Sequence, residues 1–186
     1  MAMNDLMVAI EALLQKQDRV VLAIDGRCGG GKTTLAAALE QRFGCTVLHM
    51  DDFFLRPEQR STERLSAPGE NVDHERFLEE VLAPLSAGQS FTYRPFDCSQ
   101  MTLGAPVSVT PTALTVVEGS YSLHPDLRKY YDLCVFVDVE PAEQWARIVK
   151  RNPLSAENFR KRWIPLEEQY FVAFGVREYC KYVIKT

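Results

Sequence analysis

The sequence predicts an α/β fold built on a parallel sheet, on three observations. Short β-branched runs alternate with helix-forming stretches along most of the chain. Those runs are continuously apolar, as strands buried on both faces are. A glycine-rich loop joins the first run to a helix. The chain has 186 residues, 46% hydrophobic and 25% charged, enough for a sizeable core. Residues 1–186 are therefore expected to form a single domain.

In chain order, Leu6, Ile10, Leu13 and Leu14 recur at helical spacing, which predicts an amphipathic helix over 5–16. RVVLAID (19–25) reads as a buried strand and TTLAAALEQRF (33–43) as a helix. CTVLHM (45–50) is a second strand. From 55 to 75 the chain is polar and broken by Pro57, Pro68 and Gly69, and is expected to be a loop or lid. A helical pattern over 74–85 is expected to end at Pro84. SFTYRP and APVSVTP predict a small hairpin. ALTVVEG (113–119) and DLCVFVDV (132–139) are further buried strands. Pro141 opens a helix. ENFRKRWIPLEEQYFVAF is mostly helical, with Pro165 as an interruption, and CKYVIK closes the chain as a fifth strand.

The loop carries the first chemistry. Gly26 and Gly31 flank four residues, and Lys32 and Thr33 follow, which is the G-x-x-x-x-G-K-[ST] pattern. Gly26, Gly29, Gly30 and Gly31 let several backbone N–H groups point at one anion. The next helix adds its positive N-terminal end, where Thr34 also sits. Lys32 can reach the β- and γ-phosphates of a nucleotide such as ATP, and the Thr33 hydroxyl can ligate Mg²⁺. The competing reading is a glycine-rich turn with a helix cap. Cys28 lies inside the loop, where a thiol can be reactive.

The guanine-reading N-K-x-D of GTPases is absent, and no strand ends in the Asp-Glu pair of mechanical ATPases. Instead, the second strand runs into HMDDFF, which puts Asp51 and Asp52 at the mouth of the sheet. Open α/β sheets bind ligands there. A carboxylate at that place can accept the proton of a hydroxyl attacking the γ-phosphate. Adjacent residues on an extended chain point opposite ways, so one of the two is expected to enter the cleft.

GRCGGGKTT, MDDFF, ENVDHERF, TVVEGSYSLHPDLRKYYDLCVFVDV and RIVKRN follow one another in an order that resembles uridine kinases and their relatives, nicotinamide riboside kinases and phosphoribulokinases. RWIPLEEQYF resembles the segment after the lid in the same group. The resemblance covers most of 19–184. It implies a P-loop fold with sheet order 2-3-1-4-5 and transfer of the ATP γ-phosphate to a hydroxyl of a nucleoside or related polyol. It also implies Asp51 as general base, Glu118 as the acid that orders Mg²⁺, Asp73 as a holder of substrate hydroxyls and Arg151 as a lid-side phosphate contact. The lid would be short, about 151–163. Val72, Phe54 and Asn152 depart from the uridine kinase pattern, and TYRPFDCSQ matches its base-reading region only loosely. Tyr93, Arg94, Phe96 and Asp97 in that stretch are candidates for the acceptor pocket, against a reading as hairpin packing. Arg147 shares a helix face with Arg151, and Trp163 reads as core.

Bulk properties narrow the partners. A net charge of −4 argues against a nucleic-acid footprint. No run of about 18 apolar residues predicts a membrane span. The N-terminal stretch lacks the basic start of a signal peptide. Five cysteines without metal or redox spacing fit reduced thiols, and the expectation is cytoplasmic. A small-molecule partner follows, and a homo-oligomer is compatible with it. A regulatory module that binds nucleotide with little or no phosphotransfer is the alternative from a different class.

Overall fold

The computed structural model describes residues 2–186. Its central sheet holds five parallel strands: β1 (Val20–Gly26), β2 (Thr46–His49), β7 (Leu114–Glu118), β8 (Leu133–Asp138) and β9 (Tyr182–Lys185). They lie in the order β2-β7-β1-β8-β9. Counted within the sheet alone this is 2-3-1-4-5, as expected. Val20 pairs with Leu114 and Leu22 with Leu133, so β1 lies at the centre.

Both sheet faces are covered, and the side chains alternate between them. Val20, Leu22 and Ile24 face one core with Leu6, Ile10, Leu35 and Leu39 of α1 (Ala2–Leu14) and α2 (Lys32–Phe43). Ala23, Val117 and Phe136 face the other with Phe53, Phe77, Val81, Tyr170 and Phe171. Helix α1 ends two residues before the expected 16.

The expected loop at 55–75 is partly helical, with a 3₁₀ turn Pro57–Gln59 and α3 (Thr62–Ser66), which Ser61 caps by accepting from Arg64 N–H. The helical pattern at 74–85 is realised as α4 (His74–Phe77), a π turn Leu78–Leu82 and α5 (Ala83–Ser86). Pro84 does not end it. The Ala83 N–H donates to Leu78 O, five residues back. The wider turn relieves the contact a proline ring makes with the carbonyl four residues before it. The expected hairpin is β3 (Phe91–Tyr93) against β6 (Val107–Val109), enclosing the short pair β4 (Phe96–Asp97) and β5 (Thr102–Leu103).

Helix α6 (Pro141–Arg151) follows β8, then α7 (Ala156–Asn158), a second π turn Phe159–Trp163 and α8 (Ile164–Phe174). Pro165 does not interrupt the helical run either, because Ile164 N–H donates to Phe159 O across the π turn. Gly175, at φ 54°, ends α8, and α9 (Val176–Tyr179) leads into β9. No described helix is long and apolar enough to cross a membrane.

Candidate active site

The loop between β1 and α2 takes its shape from its glycines. Gly26, Gly29 and Gly31 have φ of 135°, 71° and 95°. A Cβ on Gly26 would lie 2.1 Å from Val137 O of β8, so the strands could not sit this close with any other residue. Lys32 folds back over the loop. Its Nζ donates to Gly26 O (2.7 Å), Arg27 O (3.0 Å) and Ser120 Oγ (3.2 Å), so all three ammonium donors are engaged.

Beneath the loop lies a residue the sequence reading passed over. Asp25 is fully buried, and its carboxylate accepts from the N–H groups of Gly26, Tyr121 and Leu123 and from Tyr170 OH. Burial pushes its pKa up to about 6 even so. Tyr121, whose N–H it holds, has φ 72°. An acid inside an apolar strand was the available signal.

At the carboxyl edge of the sheet the acids gather. Thr33 Oγ1 donates to Glu118 Oε1 at 3.2 Å, and His49 Nδ1 lies 2.7 Å from the same oxygen. That hydrogen bond raises the His49 pKa. Asp51 stands in the 3₁₀ turn Met50–Phe53 after β2. Its side chain is exposed to solvent and lines the cleft; the protein around it still raises its pKa, Lys32 opposes the rise, and Glu118 and Glu167 add to it. Asp52 points elsewhere, accepting from Tyr93 OH at 2.8 Å. The two aspartates do diverge, on a 3₁₀ turn rather than an extended chain.

A cleft of about 960 Å³ connects these groups. Gly29, Gly31, Lys32, Thr33, Thr34, Asp51, Glu118 and Arg151 line it, and so do Phe159, Arg162 and Trp163 from the 151–163 segment. Trp163, read as core from sequence, is half-buried in this wall, its ring 6.4 Å from that of Phe54. Gly26 and Gly30 shape the loop from behind. Asp73, Tyr93 and Asp97 do not line the cleft. Asp73 caps α4, its Oδ1 accepting from Arg76 N–H, while its buried Oδ2 lies 3.5 Å from Arg56 Nε and 3.6 Å from Arg76 Nε without a hydrogen bond. Tyr93 stacks on Phe53. Asp97 accepts from Ser99 N–H and Oγ in a surface turn.

Besides Asp25 and His49, Glu167 and Ser120 were missed. Glu167 is buried, and its carboxylate accepts from Cys28 N–H (2.9 Å) in the loop and from Ser120 Oγ (2.5 Å). Ser120 links Glu167 to Lys32. The acidic pair in RWIPLEEQYF carried a signal that only the fold could aim. Burial and the Glu167 charge push the Cys28 thiol far up, which removes the reactive-thiolate reading.

The donor set fits a nucleotide polyphosphate with a hard cation. Backbone N–H groups and Lys32 suit the phosphates, and the oxygens of Thr33, Glu118 and Asp51 are the donors Mg²⁺ prefers.

A family model described as Phosphoribulokinase / Uridine kinase family matches residues 21–155. Among curated proteins, the bifunctional alpha-galactosidase/sucrose kinase of Mediterraneibacter gnavus is 30% identical over 82% of this chain. The match spans 19% of that protein, so the chain has about a fifth of its relative's length. Among solved structures, a possible uridine kinase from Bacillus stearothermophilus has a TM-score of 0.69 at 22% identity, covering 97% of this chain and 99% of that one. A D-glycerate 3-kinase from Cryptococcus neoformans has a TM-score of 0.60 at 17% identity, covering 82% and 79%. At these identities the two structures show a shared fold.

Proposed function

The chain belongs to the Phosphoribulokinase / Uridine kinase family, and from that premise we propose an ATP-dependent kinase that phosphorylates a hydroxyl of a nucleoside or related polyol. The observation that most supports this is the convergence of Asp51, Thr33 and Glu118 beside the loop lysine, all on one cleft. A protein that only binds nucleotide has no use for a cleft carboxylate on the acceptor side.

In this reading the loop N–H groups cradle the phosphates, and Lys32 leaves its carbonyl partners to neutralise β- and γ-oxygens. Asp51 orients the acceptor hydroxyl and takes its proton as the oxygen attacks. Its raised pKa makes it a better base than a free aspartate. Thr33 and Glu118 would hold Mg²⁺, which supplies charge neutralisation at the phosphates. Glu118 needs to release Thr33 Oγ1 for that, and His49 keeps it oriented. Arg151 and the segment about 151–163 close over the nucleotide and exclude water. Asp73 and Tyr93 act from behind the wall, Tyr93 through Asp52. Positioning and electrostatics carry the rate.

The test is ADP release with ATP and Mg²⁺ against a panel of nucleosides, sugars and vitamin alcohols. Acceptor-dependent ADP with one class supports the reading. ATP binding with no acceptor-dependent ADP across the panel contradicts it and favours the regulatory module.

A further inference from the structure

Away from the cleft, two histidines from separate segments stack face to face. His74 opens α4, and His124 stands in the loop after β7. Their ring centroids are 3.8 Å apart at 18° between planes. Both are buried, at 7% and 6% side-chain exposure. One edge of the stack faces Glu70, whose Oε1 lies 3.2 Å from His74 Nε2 and 3.7 Å from His124 Nε2. The opposite edge faces Asp126, whose Oδ2 lies 3.5 Å and 3.8 Å from the two Nδ1 atoms. Arg64 Nε stands 3.2 Å from Oε2 of Glu70, which leaves Oε1 to the rings.

We infer that Glu70, His74 and His124 form a binding site for a divalent transition-metal ion of the zinc class, separate from the nucleotide cleft. One donor atom from each residue lies within 4.8 Å of the others, close to the spacing that ligands adopt around such an ion. Two imidazoles and a carboxylate are a borderline donor set, which suits Zn²⁺ and not the all-oxygen preference of Mg²⁺. Histidines that bind a metal usually hand their other ring N–H to a carboxylate, and Asp126 Oδ2 stands 3.5 Å from His74 Nδ1 for that part, whereas His124 Nδ1 accepts from the Asp126 N–H at 3.4 Å and exchanges that partner on binding through Nε2.

The ring stack also makes sense as a site awaiting a cation. Two imidazolium ions at this separation would repel. Parallel rings must fan apart by rotation about χ2 before both lone pairs meet one ion. A solvent-open pocket of about 430 Å³, lined by His74, Glu75 and Asp126, reaches the cluster from the His74 side. None of the three proposed ligands lines the nucleotide cleft. The ion would tie the segment that follows the acidic turn of β2 to the loop that follows Glu118.

The experiment uses the full chain, freed of metal by chelation and desalting, and saturated with Mg²⁺ and a non-hydrolysable ATP analogue to occupy the cleft. Zn²⁺ alone is titrated by calorimetry, and Co²⁺ serves as an optical probe. The expected result is one Zn²⁺ per chain, a higher melting temperature with Zn²⁺ and a visible Co²⁺ band of low-coordinate type. Asp126→Asn is expected to weaken affinity by about 10- to 100-fold, the usual effect of losing such a partner. Glu70→Gln and His124→Gln are expected to lose stoichiometric binding, with ATP-analogue binding as the control for folding. Glu70 is half-buried, so its variant keeps the test sound if the histidine variant does not fold. No stoichiometric uptake by the unmodified chain, or undiminished uptake in the folded Glu70→Gln variant, overturns the inference. The cluster is then an acid–histidine clasp between the two loops.

Discussion

Lys32 has no free donor in this structure, since two carbonyls and Ser120 take all three. The part in catalysis proposed for it therefore requires an exchange of partners. Lys32→Ala is expected to remove most turnover and to weaken binding of an ATP analogue, measured by calorimetric titration. Asp25 is the opposite case, a charge with fixed donors. In Asp25→Asn an NH₂ group would face N–H donors whichever way the amide turned, so the variant is expected to lose about 1–3 kcal/mol of stability in a denaturant melt. The pH dependence follows from sign. The folded pKa, about 6, lies above the unfolded value of 3.8. The cost of ionised Asp25 is therefore full above about pH 6 and is relieved as pH falls toward 3.8. The melting temperature of the parent chain should gain from this group in that window, and the Asn variant should not. Asp73 caps α4 and sits between two guanidinium groups. Asp73→Asn is expected to lower the melting temperature. A rise of tenfold or more in acceptor KM, equivalent to about 1.4 kcal/mol, at unchanged melting temperature would instead place Asp73 on the acceptor.

At the scale of elements, β1 was legible because its run is apolar, β-branched and closed by glycine. The glycines before and after α2 differ in what they do. Gly26 meets Val137 O at 2.1 Å if given a Cβ, whereas Gly44 at the end of α2 meets nothing within 4 Å at φ 63°. Gly26→Ala is therefore expected to cost roughly 3 kcal/mol from strain and overpacking together. Gly44→Ala should cost about 1 kcal/mol from φ alone. Paired thermal melts check the difference. The prolines were misread for a common reason. A rule for Pro in α-helices puts a stop at Pro84 and a break at Pro165, but both helical runs widen into π turns just before the proline. That device depends on packing, with Phe77 and Val81 on one run and Tyr170 and Phe171 on the other held in the same core. It has no local sequence mark.

For the whole molecule, the placement of Lys32, Thr33 and Asp51 at one edge was readable from the loop and strand pattern, and the sheet order and Glu118 from the family resemblance. In a parallel sheet every strand delivers its carboxyl end to the same side. Glu167 was not readable in this way. It reaches the loop from a helix about 140 residues further on, and nothing local aims it. The same holds for the divergence of the two aspartates, which rests on a 3₁₀ turn and on Tyr93 across the hairpin. That divergence gives the central claim its most direct measurement, which is steady-state kcat for Asp51→Asn and Asp52→Asn with the acceptor found in the panel, alongside ATP-analogue binding. The account predicts a kcat loss of about 10²- to 10⁴-fold for Asp51→Asn, retained nucleotide binding, and a much smaller loss for Asp52→Asn. Equal turnover in Asp51→Asn and the parent chain, or the larger loss in Asp52→Asn, would contradict it.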